Sequence, residues 1–275
     1  MIELGIVDIR EVIRTIKLHY NYDFADYALT SFKQRLERVM IRNNIDSAEK
    51  LIIKLQKEPA FFNTFLCDIA VPSTEIFRDP SLWRWLREEY FPSAIEKNIG
   101  KFKIWLPYCV SGGELYSLII LLSEMDLLDK ISIAVTSISD TLIEKIKEGC
   151  YDPKKIDISV ENYKRFNGSK DLSTYFKADQ NCVFRDTSLI RKVEFRKLNI
   201  NFDNTPPNNK LILFRNSLIY YNPTMQEKVL HILYESLSGS GYLILGIGEK
   251  ITGAIARDFE VVNEAESVYR KRIIF

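Results

Sequence analysis

The 275-residue sequence is poor in the residues from which metal centres and hydrolytic triads are built. It has only two histidines, His19 and His231, far apart in the chain, which argues against a zinc site or a histidine-based triad. Cys67, Cys109, Cys150 and Cys182 are scattered, with no C-x-x-C pair and no metal-like spacing, so reduced thiols in a cytosolic protein are expected. No metal is expected. The formal net charge is +1, so nothing global draws the chain to nucleic acid or an anionic membrane, and an electrostatic partner must be read by a local patch. No apolar run approaches the roughly 18 residues of a membrane span. The N-terminal MIELGIVDIREVIRTIK carries charges throughout and lacks the apolar core of a signal peptide, so the expected location is the cytoplasm. There is no internal repeat and no low-complexity tract.

What is present is ordinary globular composition, 46% apolar and 27% charged, in a chain long enough for one large domain or two modest ones. The first eighty residues read as helices. Ile6, Ile9, Ile13 and Ile16 fall at helical spacing, as do Leu29, Phe32, Leu36 and Met40, with Asp26 or Thr30 as the cap of the second helix. Ser47–Gln56 and Pro59–Ile69 are two further amphipathic stretches. Pro72, Pro80 and Pro92 then punctuate the chain around a short helix at Trp83–Glu89, and the domain boundary is set here, dividing 1–80 from 81–275.

Beyond this point the period changes. Phe102–Leu106, Ile131–Ser137, Val193–Phe195, Lys210–Arg215 and Tyr242–Ile247 read as strands. They alternate with helices at Glu114–Met125, Thr141–Glu148 and Met225–Leu237, with a less regular stretch in the middle. That alternation predicts an α/β fold with a mostly parallel sheet, and such sheets bind ligands beyond the carboxyl ends of their strands. The turn P-Y-C-V-S-G-G-E, with Gly112 and Gly113, lies at one of these ends. Taken alone it is a weak signal, serving either a nucleotide or merely a tight strand-to-helix turn.

Several motifs in a fixed order are more specific. T-E-I-F-R-D-P (Thr74–Pro80), I-W-L-P-Y-C-V-S-G-G-E-L-Y-S-L (Ile104–Leu118), V-T-S-I (Val135–Ile138) and E-G-C-Y (Glu148–Tyr151) are followed by Phe195–Ile200. L-F-R-N-S-L-I-Y-Y (Leu213–Tyr221), S-G-Y-L-I-L-G-I-G-E (Ser240–Glu249) and V-Y-R-K (Val268–Lys271) complete the series. The whole chain, including the helical Y-D-F-A-D-Y-A-L-T-S-F-K-Q-R-L-E-R-V-M, resembles the CheR family of chemotaxis-receptor glutamate methyltransferases.

The resemblance implies an N-terminal all-helical domain followed by a Rossmann-like class I methyltransferase domain. It implies S-adenosylmethionine as cofactor, S-adenosylhomocysteine as product, and methyl ester formation on glutamates of a chemoreceptor's cytoplasmic helical region. The attacking carboxylate is already anionic, so positioning and desolvation suffice without a strong base. Motif matching assigns Arg78 and Tyr220 to the methyl-transfer centre, Arg78 as a bidentate partner for a carboxylate. Thr74, Arg78, Gly112, Glu114, Ser137, Asn199, Ile200, Arg215 and Asn216 are the implied cofactor contacts. On the residues alone, Arg78 pairing with Asp79 and Tyr220 serving as core are the competing readings.

The departures fall on that cofactor site. Tyr108 replaces the family's first loop glycine, Gly113 one of two loop acids, and Ser137 the acid after the second strand; Asp140 is a nearby substitute. Losing one charge-assisted hydrogen bond of about 1.5–3 kcal/mol lowers affinity roughly 10- to 150-fold. The runner-up reading is therefore a catalytically silent scaffold or regulatory binding protein on the same fold.

In the helical domain Lys33, Arg35, Arg38 and Arg42 make a basic stretch, with Arg35, Arg38 and Arg42 sharing a face at helical spacing. The resemblance makes it the receptor-docking face; an ordinary solvated helix face is the alternative. Tyr175–Val193 is short and lacks a glycine-rich turn, so no tail-peptide tether is expected. N-T-P-P-N (Asn204–Asn208) lacks the aromatic that stacks a flipped base, and nucleic acid is not an expected partner. Membrane insertion is not expected either.

Overall fold

The computed structural model describes residues 4–70, 75–96, 102–178, 183–200 and 203–273. Periodic apolar residues build four helices at the N-terminus, α1 (Ile6–Tyr20), α2 (Leu29–Arg42), α3 (Ala48–Lys57) and α4 (Phe61–Ile69). Ile9, Val12, Ile13 and Ile16 of α1 meet Phe32, Leu36, Val39 and Met40 of α2 in one core, whereas Ile6 and Leu29 from the expected stripes are exposed. Ser47 caps α3 by accepting the Lys50 N–H at 3.3 Å. Neither Asp26 nor Thr30 caps α2. The cap is Ala28, whose own N–H donates to the Tyr220 carbonyl at 2.9 Å, so the helix starts where it meets the rest of the chain.

The helical core ends at Ala70, and Ile76 and Phe77 already pack in the core of the following region. Phe77 donates its N–H to Ser117 Oγ at 2.7 Å, and Ile76 donates to Ser159 Oγ at 3.2 Å. A helix then runs as α5 (Pro80–Trp85), a π-helical turn over Leu86–Tyr90, and α6 (Phe91–Glu96).

The sheet begins with β1 (Phe102–Leu106), followed by α7 (Gly113–Glu124), β2 (Ile131–Ser137), α8 (Asp140–Glu148) and β3 (Cys150–Tyr151). Then come α9 (Ile156–Phe166), β4 (Phe176–Ala178), β5 (Val183–Arg185), β6 (Glu194–Lys197) and β7 (Asn209–Phe214). The last elements are α10 (Pro223–Ser236), β8 (Leu237–Leu245), β9 (Phe259–Asn263) and β10 (Val268–Lys271). The seven-stranded sheet has the order β6-β2-β1-β7-β8-β10-β9, with β10 antiparallel to both its neighbours and the other pairs parallel. Covered on both faces, β1 and β7 are buried along nearly their whole length, which is why they read as continuous apolar runs. In this interior Trp105 Nε1 donates to Thr136 Oγ1 at 3.1 Å, joining β1 to β2.

The chain leaves β1 toward β2 on one side and returns to β7 on the other. This reversal opens a crevice beyond the carboxyl ends of β1 and β7, the place where such sheets bind ligands. The stretch that looked irregular holds α9 and a small antiparallel sheet, β3-β5-β4. Cys67 and Cys109 are free, as expected, and burial pushes the Cys109 thiol up to about 12, which keeps it protonated and inert. Cys150 is disulfide-bonded, against the expectation of a reduced thiol.

Candidate active site

The crevice has a polar end and an aromatic end. At the polar end Arg215, just past β7, lies with its side chain 3% exposed between two carboxylates. Its Nη2 donates to Asp79 Oδ2 at 2.5 Å and its Nη1 to Glu114 Oε1 at 3.0 Å. Burial raises the Glu114 pKa above its ordinary value, and the Arg215 charge opposes that shift without cancelling it. Asp79, with φ at 56°, sits at the start of α5 and meets Arg215 just past the carboxyl end of β7. Arg78 is 41% exposed, and its Nε is 3.9 Å from Asp79 Oδ2, beyond hydrogen-bond reach. Asp79 gives its close contact to Arg215 and only a long ion-pair contact to Arg78, whose guanidinium is partly exposed beside the two carboxylates.

Two sequence-distant loops are clasped by one side chain. Glu249 accepts the Gly246 N–H at 2.7 Å and the Asn216 N–H at 2.8 Å on Oε2, and the Ile219 N–H at 3.2 Å on Oε1. Asn216 has φ at 54°, a left-handed conformation that asparagine tolerates. A Cβ on Gly246 would stand 2.6 Å from Asn216 Oδ1 and 2.7 Å from its backbone nitrogen, so glycine is required for this approach.

The loop after β1 is braced from behind by Arg185. Its Nη1 donates to the Ser111 carbonyl at 2.8 Å, its Nε to the Gly149 carbonyl at 3.1 Å, and its guanidinium stacks 4.4 Å from the Tyr116 ring. Gly112 has φ at 75°, and a side chain there would crowd Arg185 Nη1 at 3.2 Å.

At the aromatic end, Tyr108 follows β1 with φ at 59° and packs against Tyr27 and Tyr221 across a small cavity. Tyr27 and Tyr221 stack edge to face with centroids 5.0 Å apart. Arg35 of α2, 4% exposed, lies 4.7 Å from the Tyr220 ring and 5.3 Å from the Tyr27 ring. Its Nη2 is buried without a hydrogen-bond partner. Ser137, at the end of β2, is also buried with an unpartnered hydroxyl.

Of the residues expected in the site, Arg78, Glu114, Arg215 and Gly112 gather around the start of α5 and α7. Asn199 and Ile200 line the other side, with the Asn199 N–H donating to Asp203 Oδ2 at 2.6 Å, while Ser137 is buried between the lining residues Thr136 and Ile138. Asn216 and Tyr220 join the two ends. Thr74 lies outside the described residues. Asp140 is exposed at the start of α8, with Lys197 at 3.6 Å. Arg35 is part of the interior rather than the basic surface, on which Lys33, Arg38 and Arg42 remain accessible. Asp79, Glu249 and Arg185 were not among the expected site residues. The first two stand inside the motifs themselves, whereas Arg185 carries no local signal. Among the described residues no group of side chains is arranged to hold a metal ion, and no helix is long and apolar enough to cross a membrane.

Known proteins agree with this two-part reading. Residues 8–70 match the family description "CheR methyltransferase, all-alpha domain", and residues 72–268 match "CheR methyltransferase, SAM binding domain". A Pseudomonas putida protein named "Putative methyltransferase Cher3" is 30% identical over 266 residues, covering 96% of this chain and 97% of its own. A Vibrio parahaemolyticus "Chemotaxis protein methyltransferase" is 32% identical over 68% of this chain and 67% of its own. Its Listeria monocytogenes namesake is 23% identical over 86% of this chain and 88% of its own. With its helical domain, its sheet and its crevice motifs all accounted for, the chain belongs to the CheR methyltransferase family.

Proposed function

We propose that this protein transfers the methyl group of S-adenosylmethionine to glutamate side chains of a chemoreceptor's cytoplasmic helical region, giving glutamyl methyl esters. The reading is carried by the conjunction of the two matched domains with the Asp79–Arg215–Glu114 cluster and the partly exposed Arg78 at one crevice.

The polar side chains fit the cofactor. Glu114, held at one oxygen by Arg215, suits an ammonium group, and the exposed Arg78 suits a carboxylate. The orphaned Ser137 hydroxyl suits a ribose hydroxyl, since a buried polar atom without a partner costs about 1–3 kcal/mol. Bound, the cofactor supplies an electrophilic methyl group. The chain's own part is to bring a carboxylate to it and to exclude water; Arg78 is assigned to orienting the acid and Tyr220 to lining its path. Tyr220 is held in place by Arg35 above its ring and by its carbonyl on the Ala28 N–H.

Receptor cytoplasmic fragments incubated with methyl-labelled S-adenosylmethionine should acquire label that alkali releases as methanol. Arg78→Ala should lower that rate at least a hundredfold while leaving the fold intact. A folded protein that binds S-adenosylhomocysteine yet labels no receptor fragment would overturn the receptor assignment.

A further inference from the structure

A very small cavity lies at the aromatic end of the crevice. The cavity bounded by Tyr27, Pro107, Tyr108, Ile138, Asn199 and Tyr221 measures about 20 Å³. That is room for a single water, whereas pockets for ligands of cofactor size run to about 300 Å³ or more. Most of these lining residues stand at the carboxyl ends of β1, β2 and β6, on the side of the sheet where such folds bind ligands.

The filling residue is Tyr108. Its φ of 59° is a conformation that bulky residues seldom adopt. That backbone directs the ring between the two domains, where it packs against the cores of both. Tyr27 from the helical domain and Tyr221 from the loop after β7 close over it, and Arg35 faces its hydroxyl. The seam is fixed on the far side by backbone: Ala28 N–H to Tyr220 O at 2.9 Å, and Asn222 N–H to Asp26 O at 2.9 Å. At this end of the crevice the chain itself therefore takes up the room between the two domains.

We propose that Tyr108 is an intramolecular plug that sets the protein's affinity for S-adenosylmethionine, its ring competing for the volume the cofactor must enter. This rests on the methyltransferase reading. The bulk of the ring is what matters, since the hydroxyl can be removed without opening the cavity. The left-handed backbone at Tyr108 carries strain that a glycine would not. Tyr108→Gly removes both the obstruction and the strain.

Calorimetric titration with S-adenosylhomocysteine tests the plug without a turnover assay. Tyr108→Gly should bind at least tenfold more tightly than the unaltered protein, and Tyr108→Phe should match the unaltered protein within twofold. Tyr108→Ala, which keeps a Cβ beside the loop, serves as the opened form if the glycine variant melts early; it too should gain at least fivefold. Equal, saturable binding by the unaltered protein and the opened variants overturns the plug and leaves the enzyme reading standing. Absence of binding by every folded variant overturns the cofactor reading on which the plug depends.

Discussion

Glu249 holds Asn216 by the backbone, its carboxylate accepting the asparagine N–H at 2.8 Å while the same oxygen takes the Gly246 N–H at 2.7 Å. The two most specific motifs of the chain are thus two halves of one structure. The Arg-Asn loop presents Arg215 to the carboxylates, and the Gly-Ile-Gly-Glu turn keeps that loop in its left-handed bend. Glu249 is buried, so its three N–H partners are satisfied by nothing else nearby.

Glu249→Gln should destabilise the protein by about 3 kcal/mol. A hydrogen bond to a charged acceptor contributes roughly 1.5–3 kcal/mol, and the amide nitrogen of glutamine would face an N–H donor. Denaturant unfolding followed by circular dichroism measures the loss. A change below about 0.5 kcal/mol would mean that the loop holds its shape unaided.

Gly246→Ala should be at least as damaging to cofactor binding as to stability. The added Cβ would stand 2.6–2.9 Å from Asn216 Oδ1, N and Cγ, and the backbone nitrogen among them cannot move away without the bend itself moving. The expected outcome is weakened S-adenosylhomocysteine binding in a protein that still folds, read by calorimetry alongside the melting temperature.

Glu114 gives the stability a pH dependence of known sign. Its carboxyl pKa is raised above 4.5 in the fold by burial, against the pull of Arg215. Just above pH 4.5 the folded protein therefore retains a proton that the unfolded chain has released. The contribution of this residue is greatest below that pH and falls as pH rises through the folded pKa. Glu114→Gln removes the titration. The stability of the unaltered protein relative to the variant should decline from about pH 4.5 towards neutrality, as unfolding midpoints measured across that range will show. A rising difference would contradict the burial of the carboxyl group.

Much of the fold was legible because its interior strands and helices bury apolar residues at their own periods. β1, β2, β7 and the helices α2, α7 and α10 stand where the patterning put them, within a few residues. α9 was not legible, for a physical reason. Its buried face includes Ser159 and Asn162, which satisfy the backbone of Ile76 through hydrogen bonds of 3.2 and 3.4 Å, while Ile158 is exposed. The strands β3, β4 and β5 are two or three residues long and leave almost no period to read. In the site, motif order located Arg78, Glu114 and Arg215. It could not show that Tyr27, Tyr108 and Tyr221, more than 80 residues apart in turn, meet in one cavity. Helical spacing placed Arg35 with Arg38 and Arg42, yet a turn of the helix towards the seam buries it between tyrosines.

That burial separates two kinds of arginine on one helix. Arg38 is exposed and forms no ion pair among the described residues, and Arg42 is mostly exposed with Asp68 at 3.2 Å. Arg42 also borders a hollow lined by Lys145, Lys155 and Arg185. Arg38→Glu and Arg42→Glu should slow receptor methylation three- to tenfold at low ionic strength, with the deficit shrinking as salt is added, since exposed charges act over a Debye length of about 10 Å at 0.1 M. Stability should hardly change, because exposed pairs contribute about 1 kcal/mol or less. Arg35→Ala should behave oppositely. It removes the cover from the Tyr220 and Tyr27 rings and leaves a hole at the seam, so melting should fall by several degrees and salt should rescue nothing. Methylation rates against salt, set beside thermal melts of the same variants, distinguish the steering face from the seam. An Arg35→Ala variant with unchanged melting and a salt-sensitive rate would return Arg35 to the receptor-facing surface.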